Sequence, residues 1–363
     1  MRFALSEDQK MLQDALVRTL ADSSPLERVR RFAADPADGA EDVWQAVTEF
    51  GLPGLLVPEE YGGSGLGLLE AALASEALGA AVAPIAFLGV ALAPIALMRG
   101  GSPEQQAEWL PRLASGEVVA SLAIAEPIAG ARDGAGLMAK HGKLTGKALF
   151  APGGLAAGLI VAADTTGGLH LVRGDAAGLT RTPMATIDDS RRFAELSFEG
   201  VPADPLASND GLATLRDAAW VILAADTLGA AQVMLDKAVA YAKERKQFGR
   251  VIGSFQAVKH LCAEMAAELE PARALVWYAA YAFDHAPEEA ALMAAHAKAH
   301  TSEIGRFIAR TSTEVHGGMG ITDLLGLHYW FKRIGVNRQL LGGPEKVREH
   351  AARIQGLIAA TGA

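Results

Sequence analysis

The stretch Tyr241-Ala-Lys-Glu-Arg245-Lys-Gln247-Phe248-Gly249, running on through Arg250-Val-Ile-Gly253 to Ser-Phe255-Gln256-Ala-Val258-Lys-His260, organises the reading of this chain. Before it, Leu228, Ala231, Leu235, Val239 and Ala242 step by three and four, the spacing of one helical face. After it, Val258, Cys262, Met265, Leu269 and Ala272 do the same, with Pro271 predicting a kink or an end in that second helix. A short basic turn therefore joins two helices. It gathers one guanidinium (Arg245), two side-chain amides (Gln247, Gln256) and two aromatic rings (Phe248, Phe255) beside backbone that Gly249 and Gly253 leave open. Arginine offers a planar fork to phosphate and phenylalanine a face to an aromatic ring, so the cluster suits a ligand that carries both. Alone, Arg245 reads as a cation closing a helix C-terminus; its neighbours give it a ligand.

Working outward, 363 residues suffice for two or three packed layers around a large core. Half of them are hydrophobic and the mean hydropathy is +0.19, which favours a compact, helix-rich, soluble enzyme. A net charge of -9 without any Lys/Arg-rich run argues against a nucleic-acid partner, so an anionic ligand needs a local positive site. The single cysteine, Cys262, excludes a disulfide framework and fits a reducing cytoplasm. It falls in a helical apolar row, as a packed thiol does. The acid-bearing N-terminus, Met1-Arg-Phe-Ala-Leu-Ser-Glu-Asp-Gln9, does not read as a signal peptide. Leu78–Met98 is uncharged and long enough to cross a bilayer, but it is rich in Ala and Gly and interrupted by Pro84 and Pro94. It predicts two buried helices meeting at a turn, and no membrane association.

Three textures follow one another, and together they predict an α+β fold. Residues 1–118 read as a helical domain, with Ser6…Gln9 and Ser102-Pro103…Gln105 as helix-start signals. Tyr61-Gly-Gly-Ser-Gly-Leu-Gly67 follows no strand and reads as a loop rather than a phosphate turn. Residues 119–205 alternate short apolar runs with turns: Val119–Ala125, Gly158–Ala163, Leu169–Arg173 and the period-two Ala194–Glu199, with Thr165-Thr-Gly-Gly168 as a hairpin turn. That predicts a small antiparallel β domain. Residues 206–363 return to helical periodicity as a bundle.

The opening stretch resembles the R-x-x-F-G…F-Q segment of the acyl-CoA dehydrogenase flavoproteins, and Val315-His316-Gly317-Gly318-Met319-Gly320-Ile321 resembles a second string of that family. With the helix, β, helix order, the resemblance covers nearly the whole chain. It implies FAD between the β domain and the C-terminal helices, its adenine half gripped by a neighbouring subunit. It also implies an acyl-CoA substrate and electrons passed to an electron-transferring flavoprotein. By resemblance a carboxylate removes the α-proton as general base, hydrogen bonds to the thioester oxygen stabilise the enolate, and the β-hydrogen leaves as hydride. Arg245, Gln247 and Phe248 would serve the pyrophosphate, Phe255 and Gln256 the adenosine, and Gly317 and Gly318 a close backbone approach. Glu314 stands where the family usually has Gln.

The other half of the family's site is eroded. Its T-E-P-G-A-G-S-D loop reads Ala125-Glu126-Pro127-Ile128-Ala129-Gly130-Ala131-Arg132-Asp133, which loses two hydroxyls, and its W-I-T reads Phe150-Ala151-Pro152, which loses a third. Each lost hydroxyl leaves ligand atoms unpaired at about 1–3 kcal/mol. The family's base position falls on Leu341, and the position a minority use falls on Ala219. Asp217 and Asp226 are out of phase, and Glu345 lies four residues late. Kept donor contacts beside a lost ring pocket and base resemble the short subunit of heterotetrameric (α2β2) acyl-CoA dehydrogenases, several of which act on steroid side-chain CoA thioesters. Two alternatives stay open: a homomeric flavoenzyme with the base at Asp217, Asp226 or Glu345, and a scaffold that binds no flavin. His296 and His300 have the spacing of a metal pair but no third ligand, and read as a helix face. His316 reads as packed. Lys332-Arg333 is compatible with CoA phosphates or with a solvated helix face.

Overall fold

The computed structural model describes residues 4–207 and 210–358. Met1–Phe3, the first part of the stretch read as no signal peptide, lie outside that range. Six helices come first: α1 (Glu7–Ser23), α2 (Leu26–Ala34), α3 (Glu41–Glu49), α4 (Leu68–Ala80), α5 (Phe87–Gly100) and α6 (Pro103–Ala114). The start signals act as local geometry. The Gln9 backbone N–H donates to Ser6 Oγ while the Gln9 side chain accepts from the Ser6 N–H, and Ser102 with Gln105 repeats the pair. Leu78–Met98 splits as expected, with α4 ending at Ala80 and α5 beginning at Phe87 after a break that carries Pro84.

The central strands form two four-stranded sheets. The first runs β1 (Ala120–Ala123), β4 (Leu159–Ala163), β5 (Leu169–Arg173), β8 (Asp204–Pro205); the second runs β2 (Gly136–Lys140), β3 (Lys143–Pro152), β7 (Phe193–Pro202), β6 (Leu179–Met184). The second is antiparallel throughout, but β1 pairs with β4 in parallel, so the all-antiparallel expectation is corrected there. The chain leaves β1 through the short helix α7 (Ala125–Ala129) and the β2–β3 hairpin before returning, a crossover long enough for parallel pairing. The Thr165–Gly168 turn joins β4 to β5, and the Asp164 carboxylate accepts from the Thr166 and Gly168 N–H groups.

The C-terminal part is built on α8 (Gly211–Glu244), α9 (Gln256–His285) and α10 (Pro287–His316), with a β9 (Lys246–Gln247)–β10 (Arg250–Val251) hairpin at the α8–α9 junction; α11 (Leu327–Gln339) and α12 (Pro344–Ile354) close it. At 34 residues α8 is long and apolar enough to cross a membrane, yet 89% of its most apolar window is buried in the protein, as suits a helix that is apolar all round. Gly79 and Gly229 let α4 and α8 touch: a Cβ at either would sit 2.0 and 1.8 Å from a carbonyl of the other helix. Pro271 does not end α9, which runs on to His285 with Leu269 and Ala272 fully buried beside it, so the helix end expected there is corrected. Arg333 is no solvated residue. It is 1% exposed, donates twice to the Asp226 carboxylate (2.9 and 2.7 Å) and once to the Ala83 carbonyl (2.9 Å), and so ties α11 to α8. Lys332 reaches Asp189 at 2.8 Å.

Candidate functional site

The residues singled out in the opening stretch lie together and face outward. Arg245 caps α8 and its guanidinium has no described partner; Gln247 and Phe248 sit on the hairpin, and Gln256 opens α9, all exposed. Phe248 is 91% exposed and holds a positive φ of 52°, a conformation a bulky residue rarely adopts without a reason in function or packing. Its ring meets Phe255 edge-on at 6.1 Å, and the Arg250 guanidinium covers the other side of Phe255 at 4.0 Å. The second string ends α10 and opens a 3-10 turn. Gly317 (φ 58°) and Gly318 are exposed, with nothing within 4 Å of the space a Cβ would fill. His316 is packed as expected: Nδ1–H donates to the Ser312 carbonyl (2.7 Å) and the ring leans on Tyr241. Glu314 is exposed and borders an open groove of about 770 Å³ between α9 and α10, together with Arg306 and Arg310. An unpaired cation, exposed aromatic faces and bare glycine backbone form a donor set fitted to a phosphate-bearing aromatic group.

The eroded loop builds a different place. Ala125, Glu126, Leu149, Phe150, Val336 and Leu341 are among the residues around a mostly apolar cavity of about 350 Å³ between the β sheets and α11. None of the donor residues borders it. Its size suits a flat ring system, but a methyl group borders it at Ala125 where the family has a hydroxyl, and Ala131, the other such position in the loop, is out at the surface. The polar side chains on its wall are Glu126, Arg132, Thr186 and Gln339. Glu126 is committed: its Oε1 accepts the Leu149 backbone N–H (2.7 Å), and burial pushes its carboxyl above the ordinary range. The outward-facing set thus fits a phosphate-bearing aromatic group, while the cavity lacks the family's hydroxyl at Ala125.

Leu341 borders this cavity and Ala219 does not, but the fold brings their segments together: the indole N–H of Trp220, next to Ala219, donates to the Leu341 carbonyl at 2.9 Å. Both are buried, and Leu341 keeps a positive φ of 57° although it carries no carboxylate. The three acids weighed as substitutes do not border the cavity. Asp226 is held by Arg333 and by Asn337 Nδ2 (2.6 Å), which keep its carboxyl below the usual range against the burial that pushes it up. Asp217 pairs with Arg216 (2.8 Å), but burial raises its pKa. Glu345 is exposed and reaches Arg338. Sequence reading missed Glu126 as an acid on the cavity wall and Trp220 as its neighbour. The first signal lay in the quoted loop; the second required the fold. Cys262 is half-buried against the core, and His296 and His300 share the α10 surface with no metal-holding group of His, Cys, Asp or Glu among the described residues.

The chain resembles known proteins along its length. The family model "Acyl-CoA dehydrogenase, N-terminal domain" matches residues 6–117 and "Acyl-CoA dehydrogenase, C-terminal domain" matches residues 217–355. Acyl-CoA dehydrogenase IpdE2 of Mycobacterium tuberculosis is 33% identical over 342 residues, covering 94% of this chain and 95% of that protein. Among solved structures, the ChsE4-ChsE5 complex from Mycobacterium tuberculosis superposes with a TM-score of 0.90 at 26% identity, over 99% of this chain and 100% of that one. The Tcur3481-Tcur3483 steroid ACAD G363A variant superposes with a TM-score of 0.88 at 28% identity, over 97% and 98%. Fold and likeness agree: the chain belongs to the acyl-CoA dehydrogenase family of FAD-dependent oxidoreductases that act on acyl-CoA.

Proposed function

We propose that this chain is one of two unlike subunits of an acyl-CoA dehydrogenase, an α2β2 assembly in which it lends the adenosine and pyrophosphate contacts while the partner supplies the ring pocket and the base. The observation that carries the reading is a separation. Trp220, bonded to the cavity residue Leu341, and Arg245, the C-cap of α8 in the donor set, lie 25 residues apart along the continuous helix α8, about 38 Å at 1.5 Å per residue. An extended dinucleotide does not span that, so the donor set serves a cofactor held by another chain. A second copy is a poor partner, because its ring cavity would lack the same hydroxyls and the same carboxylate.

In that assembly FAD supplies the acceptor for the substrate's hydride. The chain's own residues do the rest of what it contributes. Arg245 grips phosphate, Gln247 and Phe248 flank it, Phe255 and Gln256 meet the adenosine, and Gly317 and Gly318 let backbone approach, with Glu314 in place of the family's Gln. Two of the structural relatives are named as pairs of unlike proteins, and one is called a steroid ACAD. We extend that to a steroid-derived CoA thioester as substrate, electron-transferring flavoprotein as electron acceptor and the cytoplasm as location. The homomeric alternative is disfavoured by Asp226, whose carboxylate is already bonded to Arg333 and Asn337.

The test is flavin per chain by absorbance together with native mass, for the chain alone and co-produced with acyl-CoA dehydrogenase-like proteins encoded beside it. A colourless chain that becomes a yellow four-chain assembly with one FAD per unlike pair is expected. One FAD per chain in a homo-oligomer would sink the proposal.

A further inference from the structure

The register of the β9–β10 hairpin adds a second guanidinium to the outward-facing set. Gln247 pairs with Arg250 and Lys246 with Val251. The Ile252 N–H donates to the Arg245 carbonyl at 2.8 Å, which carries the pairing one step further, to Arg245 and Ile252. Side chains alternate along each strand, so Arg245, Gln247 and Arg250 share one face while Lys246 and Val251 take the other. Phe248 and Gly249 form the two-residue turn between the strands. Both carry a positive φ, 52° and 76°, as a type I′ hairpin turn requires, and a turn that tight fixes the register.

Arg250 is exposed, and among the described residues its N–H groups have no hydrogen-bond partner and no ion pair. Its guanidinium lies 4.0 Å from the centre of the Phe255 ring, which Phe248 meets edge-on at 6.1 Å. A guanidinium laid on an aromatic face keeps its rim of N–H donors free and loses little freedom on binding. Residues 243–250 hold four cations, Lys243, Arg245, Lys246 and Arg250, against one acid, Glu244, in a chain whose net charge is -9. Two like charges on one face of a small hairpin repel each other, and an anion placed between them removes that cost.

We infer that Arg250 is a second phosphate-gripping residue, and that Arg245 and Arg250 together clamp the diphosphate of FAD between two forks, with Phe255 as the plate that holds Arg250 flat. Charge and spacing both match. A diphosphate bridging two nucleotide halves carries one negative charge on each phosphate, so each fork meets one charge. Arg245 and Arg250 are diagonal neighbours across the hairpin, about 7–8 Å apart at the backbone, a gap that two long side chains close around a group smaller than it. Lys246, on the opposite face, takes no part. The inference rests on the proposed function in taking the anion to be the diphosphate of FAD; CoA carries the same group, and the experiment separates the two.

The experiment titrates FAD, by flavin fluorescence, and CoA, by equilibrium dialysis, into the flavin-binding assembly stripped of its cofactor. The variants are Arg250→Ala, Arg250→Lys, Lys246→Ala and Arg245→Ala, with thermal melts and flavin per chain read alongside. Arg250→Ala weakens FAD by about tenfold or more and leaves CoA and the melt unchanged. Arg250→Lys keeps the charge without the fork and falls between it and wild type. Lys246→Ala removes the same charge from the other face and stays within about twofold of wild type, as a screened surface charge does. Unchanged FAD affinity in Arg250→Ala overturns the clamp, and so does an equal loss in Lys246→Ala, which makes the effect one of general charge. A loss of CoA in place of FAD overturns it by giving the diphosphate to CoA. Should Arg250→Ala lower the melt, wild-type FAD affinity in Arg250→Lys overturns it instead. If Arg245→Ala weakens FAD and Arg250→Ala does not, the clamp fails and the shared-cofactor reading stands. If both weaken FAD but a homo-oligomer holds one flavin per chain, that reading fails and the clamp stands.

Discussion

Removing Arg245 separates cofactor contact from stability. Its guanidinium is exposed and has no described partner, so Arg245→Ala leaves folding within about 0.5 kcal/mol of wild type. On a pyrophosphate the same group makes charge-assisted, two-point hydrogen bonds worth about 1.5–3 kcal/mol. At 1.4 kcal/mol per decade, the loss weakens FAD retention by the complex roughly ten- to hundred-and-fifty-fold. Arg245→Lys keeps the charge but not the fork and falls between. The assay is FAD titration of apo-complex followed by flavin fluorescence at two salt concentrations, with thermal melts alongside. The contact is at the surface, so the penalty shrinks as salt screens it. Unchanged FAD affinity with an unchanged melt would refute the donor role.

Four further outcomes follow from the interior and the rim. Phe248→Ala, which removes a ring that is 91% exposed, leaves the melting temperature of the chain unchanged but weakens assembly with the proposed flavin-bearing partner in analytical ultracentrifugation; a lowered melt with intact assembly would count against the donor face. Arg333→Met strands the buried Asp226 carboxylate and costs about 3–5 kcal/mol in urea unfolding, whereas a cost under about 1 kcal/mol would show the pair to be dispensable. Asp226 has a depressed pKa, so its stabilisation is complete above the ordinary carboxylate range and is lost as pH falls through and below it; Asp226→Asn flattens that acid limb. Lys298 is buried with its ammonium on the Asn337 and Arg338 carbonyls, and burial lowers its pKa to about 7. Between about 7 and the ordinary 10.5 the unfolded chain holds the extra proton, so wild-type stability gains from this group as pH rises across that window. Lys298→Met removes the gain, and identical pH profiles would contradict it.

How much of this was legible in the sequence differs by feature. The capped helix starts are relations three residues apart, and the β7 alternation is a relation two apart, so both were readable. The cluster at the α8–α9 turn was readable because its groups are contiguous, and the lack of a carboxylate at Leu341 and Ala219 because counting positions needs no fold. The parallel β1–β4 pair was not, since pairing direction depends on the route the chain takes between strands. Nor was the burial of Arg333. A basic dipeptide on a helix looks solvated until its partner arrives, and Asp226 stands 107 residues away. Pro271 shows propensity overruled by packing.

The sequence by itself determined the family, the order of helices, sheets and helices, the donor cluster and the lack of a carboxylate at Leu341 and Ala219. Those are local patterns or single positions, and local physics writes them into neighbouring residues. Only the tertiary structure decided that Trp220, the neighbour of Ala219, bonds the Leu341 carbonyl, and that an unbroken 34-residue α8 lies between that contact and the Arg245 turn. Helix α8 is apolar around its whole circumference, so its sequence marks no face toward a ligand. What each of its side chains touches is fixed only when α4, α10 and the Leu340–Gly343 segment close around it.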